Sequence, residues 1–187
     1  GNTIQLFADS NTDWHVFGWE MPSTWFQAVN PALIVLLAPV LDMFWTKRAS
    51  QGKSGTSVGK MALGSVYLGL SFIVLIFATM GMKPDARISF LWLTGCTLIY
   101  TVGELYLSPI GLSLVTKVAP ARLVSMLMGM WFLSSFFGNI LSGYIGQLYT
   151  TMPKEGFFLL LMGLGISTGV AIWAFNKPLK NAMAAKA

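Results

Sequence analysis

A single acidic residue, Glu104, interrupts the long apolar run ISFLWLTGCTLIYTVGELYLSPIGLSLV. A carboxylate at the middle of a membrane costs about 2.5 kcal/mol or more, so it is tolerated when it is protonated or when it lies beside a cation. A residue that can do either could couple a proton to a cationic partner. The structural alternative is a permanently neutral acid that bonds a neighbouring helix, but such bonds average only about 0.6 kcal/mol.

A proline follows this acid five residues later. Pro109 lacks the N–H of an interior helical residue and therefore predicts a kink just beyond Glu104. Four small or polar residues recur at helical spacing and share one face, namely Tyr100, Glu104, Ser108 and Gly111. A bent helix with such a face is typical of a water-filled cavity that changes shape. A static kink is the alternative.

A second polar group lies in the stretch WFQAVNPALIVLLAP. Asn30 can donate or accept a hydrogen bond towards a ligand, and it can equally tie two helices together. Both interpretations remain open on the residues alone. Pro31 and Pro39 predict two further kinks in this segment.

A third candidate group for a binding site is the pair Trp131 and Ser135, further along the chain. Trp131 and Ser135 are four residues apart, and the indole offers a flat apolar wall with one N–H donor, as a pocket would need. Lipid-facing bulk is the alternative. Two stripes of small residues predict close helix contacts: Gly138, Ser142 and Gly146 in one segment, and Gly165 and Gly169 in the next.

These residues must be positioned by membrane-spanning helices. The chain has 187 residues, of which 55% are hydrophobic and 10% charged, whereas soluble domains carry about 25% charged residues. A spanning helix needs about 20 mostly apolar residues. Five stretches satisfy this, and residues 1–8 resemble the end of an earlier one: 25–46, 61–80, 88–118, 123–149 and 156–175.

The basic residues indicate which side each connection faces. Nine of the twelve Lys and Arg residues fall in 47–60, 117–122 and 176–187, in alternation with acidic or near-neutral connections such as 9–24. The positive-inside rule predicts that 47–60 is a cytoplasmic loop, 176–187 a cytoplasmic tail and 9–24 an outer loop. A nucleic-acid binder would have no reason for this alternation. Four aromatic residues in or beside the outer loop predict a belt at the membrane surface: Trp14, Phe17, Trp19 and Trp25.

Enzyme signatures are absent from the sequence: it has no pair of carboxylates, no metal-ligand cluster and no phosphate-binding glycine loop. We therefore expect neither an enzyme nor a metal site.

Three stretches resemble the proton-dependent oligopeptide transporters of the major facilitator superfamily: LFADSNTD at 6–13, FQAVNPALIVLLAPVLDMFW at 26–45 and GELYLSPIGLSLVTKVAPARLVSMLMGMWFLSS at 103–135. The resemblance implies an all-α integral membrane protein. It further implies that the chain is most of the C-terminal six-helix bundle of a transporter with twelve or more helices. The segments would then be the end of helix seven and helices eight to twelve.

The resemblance also implies a function. We expect proton-coupled symport of di- and tripeptides into the cell by alternating access, with protons as the coupling ion and no cofactor. The expected setting is a cell membrane, most simply a bacterial inner membrane, where lipids surround the chain and an N-terminal six-helix half completes it. The implied substrate-binding residues are Asn30, Glu104, Trp131 and Ser135, with Glu104 also the proton-coupling residue.

Two alternatives remain at the level of sequence. Relatives of one fold change substrate, so the chain could serve a symporter or exporter of another solute, such as nitrate or a drug. It could also belong to a membrane scaffold or channel subunit that transports nothing. The lone Glu104 argues against the second alternative.

Overall fold

The computed structural model describes residues 2–16, 19–20, 22–53, 55–80 and 87–176. Within them the chain folds into six α-helices: α1 (Asn2–Asn11), α2 (Val29–Ser50), α3 (Ser57–Thr79), α4 (Phe90–Val118), α5 (Val124–Gln147) and α6 (Lys154–Ala174). Helices α2 to α6 are long and apolar enough to cross a membrane. The predicted all-α membrane fold class is therefore confirmed.

Short elements connect these helices. Single 3₁₀ turns or helices lie at Ser23–Ala28, Ala121–Leu123 and Leu148–Thr150. Four two-residue strands are β1 (Thr12–Asp13), β2 (His15–Val16), β3 (Trp19–Glu20) and β4 (Ile88–Ser89). The parallel pair of β1 with β4 joins the chain after α1 to the start of α4, and β2 pairs with β3 in antiparallel fashion.

The helix ends differ from the predicted boundaries at several points. Helix α1 continues through Asn11 instead of ending at residue 8, and α2 continues to Ser50, inside the predicted loop 47–60. Helix α3 already begins at Ser57, because the Thr56 side chain accepts a hydrogen bond from the Gly59 N–H at 3.0 Å and so caps the helix. The connection between α2 and α3 is therefore shorter than predicted. Residues 177–187 of the predicted tail lie outside the described residues.

Backbone contacts at glycine join α3 to its two neighbours. A Cβ added at Gly103 of α4 would lie 2.8 Å from the Gly64 carbonyl oxygen of α3, and one at Gly165 of α6 would lie 2.6 Å from the Gly69 Cα of α3. Gly169 likewise approaches the backbone of α3. Membrane helices associate through such close approaches, since lipid supplies no hydrophobic drive between them. The predicted close packing at Gly165 and Gly169 is confirmed. We call α3, α4 and α6 the glycine-packed trio.

Helices α2 and α5, the α2–α5 pair, are packed far less closely. Neither helix contains a buried residue. Apart from the neighbouring backbone of α5 itself, no described atom lies within 4 Å of a Cβ added at Gly138 or Gly146. The glycines of the Gly138 stripe therefore meet no other helix within the part of the chain that the structure describes, and the predicted helix contact of this stripe stays a prediction. The sequence pattern alone could not show which small-residue stripe has a partner.

Aromatic residues fill the end of the bundle at which α1 ends and α4 begins. Phe7, Phe157 and Phe158 are fully buried there. Trp14 is only 8% exposed and donates its indole N–H to the Ala8 carbonyl at 3.0 Å. Its predicted role in a membrane belt is wrong, because the ring packs inside the bundle. Trp25 is 57% exposed, as a belt residue would be. Phe17 and the side chain of Trp19 lie outside the described part.

Candidate substrate and proton site

The side chains of Asn30 and Glu104 meet between α2 and α4. Asn30 lies in the first turn of α2, and Glu104 lies near the middle of α4. The Asn30 Nδ2 donates to Glu104 Oε2 at 3.0 Å, and both residues are half-buried. The structure therefore brings together two of the four predicted site residues, which are 74 positions apart in the chain.

A threonine that the sequence reading missed orients the asparagine. The hydroxyl of Thr101, which is fully buried, lies 2.6 Å from Asn30 Oδ1 and 2.7 Å from the Thr97 carbonyl oxygen, and it can donate its one proton to either. Because the amide oxygen faces this hydroxyl, the amide NH₂ faces the carboxyl of Glu104. Thr97, Thr101 and Glu104 follow at helical spacing, which is the signal that could have placed Thr101 on this face.

The second carboxyl oxygen of Glu104 has no partner of this kind. Oε1 accepts no hydrogen bond, and Glu104 forms no ion pair, with any residue that the structure describes. A cation that approaches Oε1 would form a charge-assisted hydrogen bond, which is about twice as strong as a neutral one. The Asn30 bond can persist in both protonation states, since an acid protonated at Oε1 still accepts at Oε2.

A cavity of about 370 Å³ adjoins this group on the Asn30 side. Cavities that hold small ligands are about 300–1,000 Å³. Its lining combines apolar walls with amide, hydroxyl and phenol groups, contributed by α1, the 3₁₀ helix, α2 and α4: Ile4, Gln5, Phe26, Gln27, Asn30, Pro31, Thr97 and Tyr100. Glu104 does not line the cavity itself, but it accepts a hydrogen bond from Asn30, which does.

The other two predicted residues lie apart from this pair. Trp131 is half-buried, and its ring rests on the backbone of α4 at Gly111, where an added Cβ would collide with it. Gly111 is seven residues beyond Glu104, or roughly 10 Å along a helix. The side chain of Ser135 is exposed. The structure therefore does not join Trp131 or Ser135 to the Asn30–Glu104 pair.

The three prolines occupy two kinds of position. Pro31 lies in the first turn of α2, three residues after the end of the 3₁₀ helix, where a missing N–H is tolerated best. The kink at Pro31 stays a prediction. Pro39 and Pro109 lie inside α2 and α4, and each helix continues through its proline. A kink at these two positions stays a prediction.

The described residues contain no group of three or more His, Cys, Asp or Glu side chains that could hold a metal ion. The polar partners of Glu104 are an amide and, through it, a hydroxyl. The arrangement can hold or release one proton and bind a cation.

Comparison with known proteins identifies the family. The sequence profile of the POT family matches residues 1–163. The chain belongs to the POT family.

The relatives of this POT chain include named transporters. It is 39% identical to the peptide transporter YePEPT of Yersinia enterocolitica over 77% of the chain and 29% of that protein. It is 30% identical to a di-/tripeptide transporter of Lactococcus lactis subsp. cremoris over 92% of the chain and 34% of that protein. The chain therefore spans about a third of the length of these relatives.

The fold of this POT chain also matches a solved structure. A crystal structure of the peptide transporter POT in complex with sulfate superposes with a TM-score of 0.82 at 33% identity. The match covers 94% of this chain and 35% of the other. The six-helix arrangement is therefore that of a POT transporter over a matching third of its length.

Proposed function

We propose that this chain is the C-terminal part of a proton-coupled symporter of di- and tripeptides. The observation that carries the proposal is the Asn30–Glu104 hydrogen bond, which holds a membrane carboxyl whose other oxygen accepts no hydrogen bond from the described residues. The adjoining cavity supplies room for a small polar ligand. Relatives named as peptide transporters favour a peptide as that ligand and a secondary transporter rather than an enzyme.

The proposed chemistry uses the charge of Glu104. The ammonium group of a peptide favours the ionised carboxylate, because an opposite charge nearby stabilises it. Protonation of Glu104 removes that attraction and promotes release of the peptide. An inward proton gradient then biases the cycle towards uptake, with protons as the coupling ion and no cofactor.

The exposed residues of α2 and α5 leave a surface on which a second half of the transporter could pack. We propose that an N-terminal six-helix half packs on this side and that the two halves rock around a central site to give alternating access. Trp131 and Ser135 would then complete the substrate site from α5. The setting would be a cell membrane, with the C-terminus on the cytoplasmic side as the loop charges predict.

The proposal is tested with the full-length transporter in liposomes. Uptake of labelled dialanine is measured with an inward proton gradient, without a gradient, and with a protonophore added to the first condition. We expect accumulation above the external concentration in the first condition alone. Equal uptake in all three would contradict proton coupling, and no uptake of any di- or tripeptide, alongside uptake of nitrate or a drug, would move the function to another solute.

A further inference from the structure

A basic, aromatic cavity lies where α2 ends and α3 begins, at the end of the bundle opposite the buried aromatic core. Its volume is about 140 Å³. Three cations line it, together with the aromatic rings of Trp45 and Tyr106. The cations are Arg48, Lys53 and Lys60, and no acidic residue lines the cavity in the described part of the chain.

Aromatic faces hold two of these cations in place. The Lys60 Nζ lies 5.0 Å from the centroid of the Trp45 ring, and the Arg48 guanidinium carbon lies 5.6 Å from the centroid of the Phe44 ring. Neither cation pairs with a carboxylate among the described residues. Positive charge is therefore gathered at one point without a protein anion to balance it.

The indole of Trp45 lines this cavity, and its N–H lacks an acceptor among the described residues. Its Nε1 is buried and is the one buried side-chain nitrogen or oxygen atom without a hydrogen-bond partner in the ranges that the structure describes. Tyr106 packs edge-on against the same ring, with centroids 4.9 Å apart, and fixes its orientation. A buried donor without an acceptor is unfavourable, so an anionic oxygen at this position would be stabilising.

An apolar groove continues from the cavity along α3 and α6. It has a volume of about 590 Å³ and shares Gly55, Lys60 and Leu63 with the basic cavity. Beyond the shared residues its walls include Val66, Val170 and Trp173. The two spaces together thus have cations and the Trp45 indole at one end and the apolar groove at the other.

We propose that this composite site binds a phospholipid with an anionic headgroup. The phosphate would lie among Arg48, Lys53, Lys60 and the Trp45 N–H, with an acyl chain in the groove between α3 and α6. Basic pockets between membrane helices near the surface suit such headgroups. A free phosphate compound would satisfy the cations equally well, but it would leave the adjoining groove unused.

The test measures lipid binding by the delipidated full-length transporter in detergent, using native mass spectrometry. Phosphatidylglycerol is titrated against phosphatidylcholine, which has the same chains and no net charge. We expect phosphatidylglycerol to bind at least tenfold more tightly. The double variant Arg48→Gln/Lys60→Gln should lose that preference, while the matched control Lys47→Gln/Arg122→Gln, which changes net charge equally outside the cavity, should keep it.

Single variants keep the test decisive if the double variant folds poorly. Lys53→Gln changes a loop cation, and Trp45→Phe removes only the indole N–H and part of the ring. Each should weaken phosphatidylglycerol binding about threefold or more and leave phosphatidylcholine binding unchanged. Equal losses in the control variant would show that the attraction is diffuse charge. Competition by glycerol phosphate at the same concentration as the lipid would show that the acyl chain contributes nothing. Equal losses in the control variant, or such competition, would overturn the proposal.

Discussion

The glycine-packed trio and the α2–α5 pair differ in what fills the space between helices. Within the trio, the backbone of α3 approaches those of α4 and α6 so closely that a methyl group at Gly103 or Gly165 would collide with it. The pair has no buried residue and touches α4 through side chains, by way of Asn30 on α2 and Trp131 on α5.

Helix α4 belongs to both environments. Gly103 faces α3, and the next residue, Glu104, faces α2, because successive helical residues point about 100° apart. Backbone contacts leave little freedom, whereas side-chain hydrogen bonds can be exchanged for bonds to a ligand. We infer that the trio is the fixed scaffold and that the face of α4 towards the pair carries the chemistry. Substitutions in the trio and on this face of α4 can separate the two roles.

The largest expected effect is on transport, at Glu104. Glu104→Gln keeps the shape of the side chain and removes its charge and its titration. We expect gradient-driven dialanine uptake in liposomes to fall roughly a hundredfold, as is typical when a proton-transfer group is lost. Counter-transport without a gradient should persist, and the melting temperature should change little. Uptake like that of the unmodified protein would contradict the role of Glu104.

The next effect is on stability, within the trio. Gly165→Ala places a methyl group against the Gly69 backbone and should destabilise the protein by about 1–3 kcal/mol, the usual cost of overpacking. Gly163→Ala on the same helix is the control, because its added Cβ has no described atom within 4 Å apart from the neighbouring backbone of α6 itself. Thermal melting of the purified protein measures both. If the two variants melt alike, the close α3–α6 contact is not needed for folding.

A smaller effect is expected on peptide binding at Thr101. Thr101→Val keeps the side-chain shape and removes the hydroxyl that contacts Asn30 Oδ1. One lost hydrogen bond of about 1 kcal/mol corresponds to roughly fivefold weaker binding. The control is Thr94→Val on the same helix, whose hydroxyl bonds the Phe90 carbonyl and no other described residue. The readout is the KM for peptide in counter-transport. An equal change in both variants would show that Thr101 has no specific role in peptide binding.

The smallest effect is expected where α5 is joined to α1. The Tyr149 hydroxyl, just after α5, donates to Asn11 Oδ1 at 2.9 Å and lies 3.3 Å from the Ser10 hydroxyl. Tyr149→Phe should lower the free energy of unfolding by about 0.5 kcal/mol, since the bond is partly exposed. Tyr144→Phe, at an exposed position of α5, is the control. No difference between the variants in denaturant titration would show that this end of α5 is not held by the bond.

The fold was predictable from the sequence because each membrane helix can be recognised from its own residues, by its apolar length and its few charges. Which of the small-residue stripes makes a close contact was not predictable, because a glycine's partner lies on another helix. Gly138 and Gly165 look alike in sequence, yet only Gly165 meets a backbone among the described residues. The sequence thus located the membrane helices and left open which of their faces meet.

The site was predictable only in part, because some of its residues stand out within one segment and others depend on contacts between helices. Glu104 stands out because a membrane carboxylate is unusual anywhere. The residues alone left Asn30 equally suited to a ligand and to a helix contact, and the resemblance then implied its role in the site. Thr101 was missed because a threonine in a membrane helix ordinarily bonds the carbonyl four residues earlier. It has that option here with Thr97, in addition to its contact with Asn30. Only the packing of α2 on α4 shows the second partner.

The most direct measurement is difference infrared spectroscopy of the purified full-length transporter, recorded before and after dialanine is added. Our account predicts that the carboxyl stretch of a protonated acid decreases when the peptide binds and that the change is absent in Glu104→Gln. The same spectrum with an N-acetylated dialanine, which has no ammonium group, should show no change. A Glu104 carboxyl signal that stays constant with and without peptide would contradict the account.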